Sequence, residues 1–137
     1  MALVELRGIT KTYVQGKVQV PALRGIDLDI ERGEFTALAG PSGSGKTTLL
    51  NIIGCLDIPT SGTVRLEGRD LARLGPNELA DIRLEKIGFV FQSFNLIPVL
   101  TALENVEFPL ALLGRPGASR LAAEMLARVG QIGRAHV

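Results

Sequence analysis

Residues 39–48 read AGPSGSGKTT and stand between the apolar run FTALA and the apolar run TLLNII. The spacing is Gly40, four residues, then Gly45, Lys46 and Thr47. Glycines at 40, 43 and 45 permit backbone conformations closed to other residues and let the chain come close to a ligand. The N–H groups from Ser42 to Thr48 can then turn inward as a concave anion site, and a helix opening at Lys46 adds its positive end beneath them. Lys46 offers a flexible positive charge to the outer phosphates, and the Thr47 hydroxyl can ligate Mg²⁺. Such a loop has to follow a buried strand and open a helix. FTALAG lacks polar alternation and predicts a short strand covered on both faces, and KTTLLNIIGCL predicts a helix ending near Gly54. The ligand chemistry is that of a nucleoside triphosphate with magnesium.

The flanking patterns organise the rest. ALVELRGI alternates and predicts a half-buried strand. LRGIDLDIERGE does the same, with Ile26, Leu28 and Ile30 on one face and Asp27, Asp29 and Glu31 on the other. TSGTVRLEG reads as a hairpin return, PNELADIRLEKI as a short amphipathic helix capped by Asn77, and IGFVFQ as another buried strand. Thr101 and Glu104 have capping-box spacing. Leu103, Val106, Leu110 and Leu113 then share a helical face, with a kink expected at Pro109. Leu121, Met125 and Val129 form a later stripe. The order is α/β with a helical continuation.

Composition excludes several classes. Fifteen basic against 14 acidic residues leave a net charge of +1, so nothing suggests a grip on nucleic acid or anionic lipid. The single cysteine, Cys55, forms no internal disulfide and reads as a buried, unreactive thiol. MALVELRGIT has charges where a signal peptide needs an apolar stretch, and no apolar run reaches the ~18 residues that span a bilayer. A cytoplasmic protein is expected, with any membrane role coming through a partner.

GPSGSGKTTLLNIIGCLDIPTSG together with IGFVFQSFNLIPVLTALENVEFPL resembles the ATP-binding subunit of ABC transporters, in the branch serving lipoprotein release and macrolide or antimicrobial-peptide export. The resemblance runs from about Leu3 to about Gly130. It implies a P-loop NTPase of the ABC ATPase type, present incompletely: an antiparallel β subdomain, the start of a RecA-like core and the start of a helical subdomain. The implied division is 1–92 for the nucleotide-binding core and 93–130 for the Q-loop and helical part. ATP with Mg²⁺ is the implied cofactor pair, contacted by Gly40, Pro41, Ser42, Gly43, Ser44, Gly45, Lys46, Thr47 and Thr48. Tyr13, in TKTY, matches the aromatic residue that stacks on adenine; by itself it reads equally as packing. Gln92 matches the Q-loop glutamine, beside Thr47 at magnesium and beside Lys46 in catalysis; by itself it is a polar residue ending a strand. Phe94, Leu96, Ile97, Pro98, Val99 and Leu100 read either as core or as a partner surface. The resemblance favours docking to a membrane permease through residues from Gln92 to Val106, with the subunit peripheral on the cytoplasmic face of the inner membrane.

The family's signature segment, its apolar strand ending in paired acids and its switch histidine find no counterpart here. His136 lacks the expected surroundings. The closing residues QIGRAHV match the translation of a short-read sequencing adapter, CAG ATC GGA AGA GCA CAC GTC, so residues 131–137 are read as non-native. An intact member would form a homodimer of ATPase subunits. The 137 residues alone are expected to bind nucleotide weakly and to turn nothing over. Two rival readings stay open: a non-catalytic nucleotide-binding module, and an ABC-type ATPase that tethers a complex rather than moving a substrate.

Overall fold

In the first strand, β1 (Val4–Gln15), Val4, Leu6 and Ile9 are buried while Arg7 and Gly8 are exposed. The spacing from Leu6 to Ile9 breaks strict alternation, and a bulge reconciles it. Leu6 pairs with Leu28 and Ile9 with Ile26 on β2 (Val18–Ile30), so β1 holds one more residue than its partner over that interval. The displaced Gly8 N–H donates to Asp27 Oδ1 at 2.7 Å. A forked pair from Arg7 to Asp29, at 2.6 and 2.8 Å, bridges the same two strands on the exposed face. The Asp29 carboxyl is held below the usual carboxylate range chiefly by the hydrogen bonds from Arg7.

The described residues are 1–131 of this computed structural model, and they form two compact units, Met1–Arg83 and the residues from Leu84 onward. In the first unit a helix, α1 (Lys46–Ile53), buries Leu49 and Ile52. It is followed by β3 (Ser61–Leu66), the short β4 (Arg69–Asp70) and one 3-10 turn at Leu71–Arg73. The strands form one antiparallel sheet in the order β2-β1-β3-β4. Its inner face carries Val4, Leu6, Ile9, Leu23 and Val64 in the core, with Ile26, Leu28 and Ile30 half-buried. Both predicted alternating strands and the hairpin return are therefore present.

Two predicted strands are not. Residues 35–41 and 87–91 make no ladder among the described residues, and Phe35 and Val90 are fully exposed. A strand covered on both faces takes its backbone hydrogen bonds from neighbouring strands, and no described segment pairs with either run. Phe89 and Phe91 still stack, with centroids 5.4 Å apart, as residues i and i+2 do on one side of an extended backbone.

The next helix, α2 (Pro76–Lys86), starts two residues earlier than an Asn77 cap would place it. Gly75 O accepts from Leu79 N–H at 3.0 Å, and Glu78 reaches back to Gly75 N–H at 3.0 Å, so Asn77 lies inside the helix and does not cap it. Only Ile82 is buried along it, a narrower apolar face than expected.

In the second unit α3 (Ala102–Leu112) packs against α4 (Ala118–Arg128). Thr101 caps α3, its hydroxyl accepting from Glu104 N–H at 3.2 Å. The return half of the box differs from expectation, because the Glu104 carboxylate accepts from the Thr101 hydroxyl at 3.0 Å. Pro109 lies within α3, which continues to Leu112. On α4 the buried positions are Ala122 and Leu126, while Met125 and Val129 are exposed. The stripe is rotated by one residue from the predicted one: small Ala122 sits on the packed face and Met125, the longer side chain, is left outside. Residues 132–137, with His136, lie outside the described residues; so does the reading of the tail, save for Gln131, whose N–H donates to Leu126 O at 2.8 Å.

Candidate nucleotide site

Gly45 decides how the loop at 40–48 is held. Its φ of 94° lies in the left-handed region, and it ends the loop by accepting the first helical bond of α1, from Leu49 N–H at 2.9 Å. The amides of Lys46, Thr47 and Thr48 precede that bond and head the helix, where the backbone dipoles leave positive charge. A Cβ on Gly45 would lie 2.6 Å from Ala22 O and 2.8 Å from Leu23 Cδ2. The start of α1 is thus seated directly on β2. Gly43 is also left-handed, at 80°, with open space around it. Gly40 is a correction: its φ is not positive, and an added Cβ would meet only the Ser44 side chain, its hydroxyl at 2.9 Å and its Cβ at 3.5 Å. Its small size serves contact with Ser44, with no special backbone angle.

Lys46 folds back over the loop. Its ammonium donates to Gly40 O at 2.6 Å, Pro41 O at 2.8 Å and Ser44 Oγ at 3.2 Å. The two carbonyls fix the charge at the mouth of the loop, and the longest contact, to a hydroxyl, is the easiest to exchange for an anionic oxygen. Ser44 N–H donates to Pro41 O at 3.2 Å and closes the turn between them. Thr47 is exposed at the first turn of α1. Among the described residues no group of three or more His, Cys, Asp or Glu side chains suits a metal ion. The donors on offer are a hydroxyl and whatever oxygens a ligand brings. That set fits Mg²⁺, which keeps waters and binds through substrate phosphates with few protein ligands.

Tyr13 belongs to the same unit. It pairs with Val20, and its neighbours Thr12 and Lys11 pair with Pro21 and Leu23, the residues flanking Ala22 on which Gly45 rests. Its hydroxyl donates to Asp57 Oδ2 at 2.9 Å, and the Lys11 ammonium lies 5.1 Å from the ring centroid. Lys11 also pairs with Asp57 Oδ1 at 3.0 Å. Burial pushes the Asp57 carboxyl up, but hydrogen bonds from Lys11, Tyr13 and the Ile58 N–H outweigh it and hold the group below its ordinary value. Lys11 and Asp57 were not singled out by the sequence; the one available signal was Lys11 two residues before Tyr13 on an alternating strand.

Gln92 is exposed at a bend in the second unit, not at the end of a strand. Tyr13 and 40–48 are brought together in one unit; Gln92 is not part of it. Beyond Gln92 the apolar run is open to solvent, with Phe94 94% and Val99 89% exposed and Leu96 also outside. Asn105 holds that run in place, a role missed in the sequence. Its Oδ1 accepts from Ile97 N–H at 2.8 Å, and its amide donates to the carbonyls of Thr101, Leu100 and Ile97 at 2.9, 3.2 and 3.3 Å. The turn is thereby tied to α3 by polar contacts while its apolar side chains face outward. Cys55 is buried as expected, and burial pushes its thiol pKa up, with Arg83 opposing. A cavity of about 650 Å³ in the first unit is lined by Ile52, Cys55, Leu71 and Leu79 and by none of residues 40–48.

Residues 23–137 match the family described as "ABC transporter", and the chain belongs to the ABC transporter family. Its relatives place it with the ATP-binding part of that family. It is 51% identical over 136 residues to an uncharacterized ABC transporter ATP-binding protein of Thermotoga maritima, covering 98% of this chain and 58% of that protein. It is 56% identical over 114 residues to the macrolide export ATP-binding/permease protein MacB of Syntrophobacter fumaroxidans, covering 83% of this chain and 16% of that one. Among solved structures it is similar to the ATP-binding cassette MJ0796, in a dimeric post-hydrolysis state bound to ADP and Pi. The TM-score there is 0.89 at 48% identity, over 97% of this chain and 60% of that chain. The chain spans less than two thirds of the length of each of these relatives. The cassette fold expected from the sequence, antiparallel sheet plus helices, is the fold observed. No described helix is long and apolar enough to cross a membrane.

Proposed function

We propose that this chain is the nucleotide-holding part of an ABC-type ATPase subunit that couples Mg-ATP to a membrane permease in export or lipoprotein release. Bound Mg-ATP would supply the phosphoanhydride whose cleavage drives the coupling. In this reading residues 1–92 carry the nucleotide, Ser42 to Thr48 present amides to the phosphates, and Lys46 neutralises their charge. Thr47 and Gln92 serve magnesium, and Tyr13 receives adenine. Residues from about Gln92 to Val106 face the permease on the cytoplasmic side of the membrane, and the intact subunit works as a homodimer. The 137 residues contain no SGGQ and no apolar strand closed by paired acids. By themselves they are expected to bind weakly without turnover.

The observation that carries the reading is the ammonium of Lys46, clamped by Gly40 O and Pro41 O beside the amides that open α1. A cation fixed next to unbonded helix-start amides is a site for a polyanion. The permease assignment rests on the exposed apolar turn that Asn105 holds outward, since a patch of this kind marks a partner surface.

One variant addresses both halves. Leu96→Asp should abolish co-purification with the permease while Mg-ATP retention in equilibrium dialysis equals that of the parent. Loss of both would return Leu96 to a core role. A parent that retains no Mg-ATP at millimolar nucleotide would remove the nucleotide reading itself.

A further inference from the structure

Tyr13 is the single tyrosine of a chain without tryptophan, and it is far from a free aromatic side chain on a strand. Its hydroxyl is anchored on Asp57, 44 residues away, and the same carboxylate takes the Lys11 ammonium that lies against the ring. Lys11 is fixed in turn by Ile58 O at 2.8 Å. The backbones are laced together around this group. Thr12 N–H donates to Thr60 Oγ1 at 2.9 Å, and Thr60 N–H to Thr10 O at 2.8 Å. Asp57 N–H reaches Asn51 O at 3.2 Å, on the last turn of α1. The ring is therefore tied to the far end of the helix whose first residue is Lys46.

We propose that Lys11 and Asp57 are positioning residues for Tyr13, acting through the ring and not on the nucleotide; this rests on the reading that Tyr13 receives a base. Two physical effects follow from the geometry. The anchored hydroxyl fixes the tilt of the ring before a ligand arrives, so less side-chain freedom is lost on binding. The ammonium covers one face of the ring, so a base stacks on the opposite face and in one orientation. No group in this arrangement reads the edge of a base. Stacking tolerates any base, and the pair should tighten all nucleoside triphosphates alike.

The test compares Mg-ATP with Mg-tripolyphosphate, which has the phosphates and lacks the base. Lys11→Met and Asp57→Asn should each weaken Mg-ATP about fivefold and leave tripolyphosphate unchanged. Lys11→Arg should recover most of the loss, because a guanidinium can both stack on the ring and pair with the carboxylate. Tyrosine emission supplies a second signal, since Tyr13 is the only residue that gives it. A carboxylate acceptor quenches a phenol, so Asp57→Asn should brighten the chain. Unchanged Mg-ATP affinity in Lys11→Met and Asp57→Asn overturns the proposal. So does an equal loss for ATP and tripolyphosphate, which would make the pair a support of the loop as a whole. Should Asp57→Asn fail to fold, Lys11→Met decides alone. Tyr13→Ala separates the two levels: if it binds ATP as the parent does, the adenine reading falls and takes the proposal with it. If Tyr13→Ala loses affinity for ATP alone while Lys11→Met does not, only the proposal falls.

Discussion

Lys46→Ala should lower the affinity for Mg-ATP roughly 100-fold, the effect of losing charge-assisted hydrogen bonds worth about 3 kcal/mol, while the unfolding midpoint stays that of the parent. The separation follows from where the side chain sits. Its described hydrogen bonds go to the loop itself, at Gly40 O, Pro41 O and Ser44 Oγ. Gly40, Pro41 and Ser44 are exposed, so water can replace the ammonium at the freed acceptors. Alanine is also the better helix former at the first position of α1. Lys46→Arg should not rescue binding, because a planar fork cannot take the place of a compact ammonium between two carbonyls. Isothermal titration with thermal unfolding of the same samples reads both quantities. Parent-like affinity in Lys46→Ala would remove the lysine from the site; a large fall in midpoint would make it a structural residue instead.

The second large effect is on stability. Gly45→Ala should destabilise the chain by about 2 to 5 kcal/mol in urea unfolding, combining left-handed strain of ~1–2 kcal/mol with overpacking of ~1–3 kcal/mol. The added methyl would lie 2.6 Å from Ala22 O, a backbone atom inside β2, and 2.8 Å from the buried Leu23. Neither neighbour can yield without moving the sheet or the core. Gly43→Ala makes the comparison, since it has a φ of 80° and nothing within 4 Å. It should show the strain alone, ~1–2 kcal/mol. Equal losses at the two positions would mean that α1 is not seated on β2.

What the residues disclosed beforehand depended on how local the physics is. The two strands β1 and β2, the left-handed glycines at 43 and 45 and the Thr101 cap are decided within a few residues, and each is found in the structure. The runs at 35–39 and 87–91 have the composition of buried strands, but a strand exists only through its neighbours, and no described neighbour pairs with them. Asn77 has a capping side chain, yet Gly75 takes the cap because Glu78 can close the turn from inside the helix. On α4, the spacing of the larger apolar residues suggested the stripe, whereas Ala122 and Leu126 are the positions buried where α4 packs against α3. Asp57 could not be read as Tyr13's anchor from the chain alone, because only the fold brings two residues so distant in sequence to 2.9 Å. The loop at 40–48 could be picked out of the chain for the opposite reason: its residues lie in one continuous stretch.

The central claim is that the amides from Ser42 to Thr48, with the Lys46 ammonium, form a seat for the phosphates of Mg-ATP. Amide-resolved NMR of the isotope-labelled chain during a Mg-ATP titration tests it most directly. The largest, saturable shifts are expected at the amides of residues 42–48, with smaller ones near Tyr13. Shifts centred instead on the cavity lined by Cys55, Leu71 and Leu79, or none at 42–48 at saturating nucleotide, would contradict it.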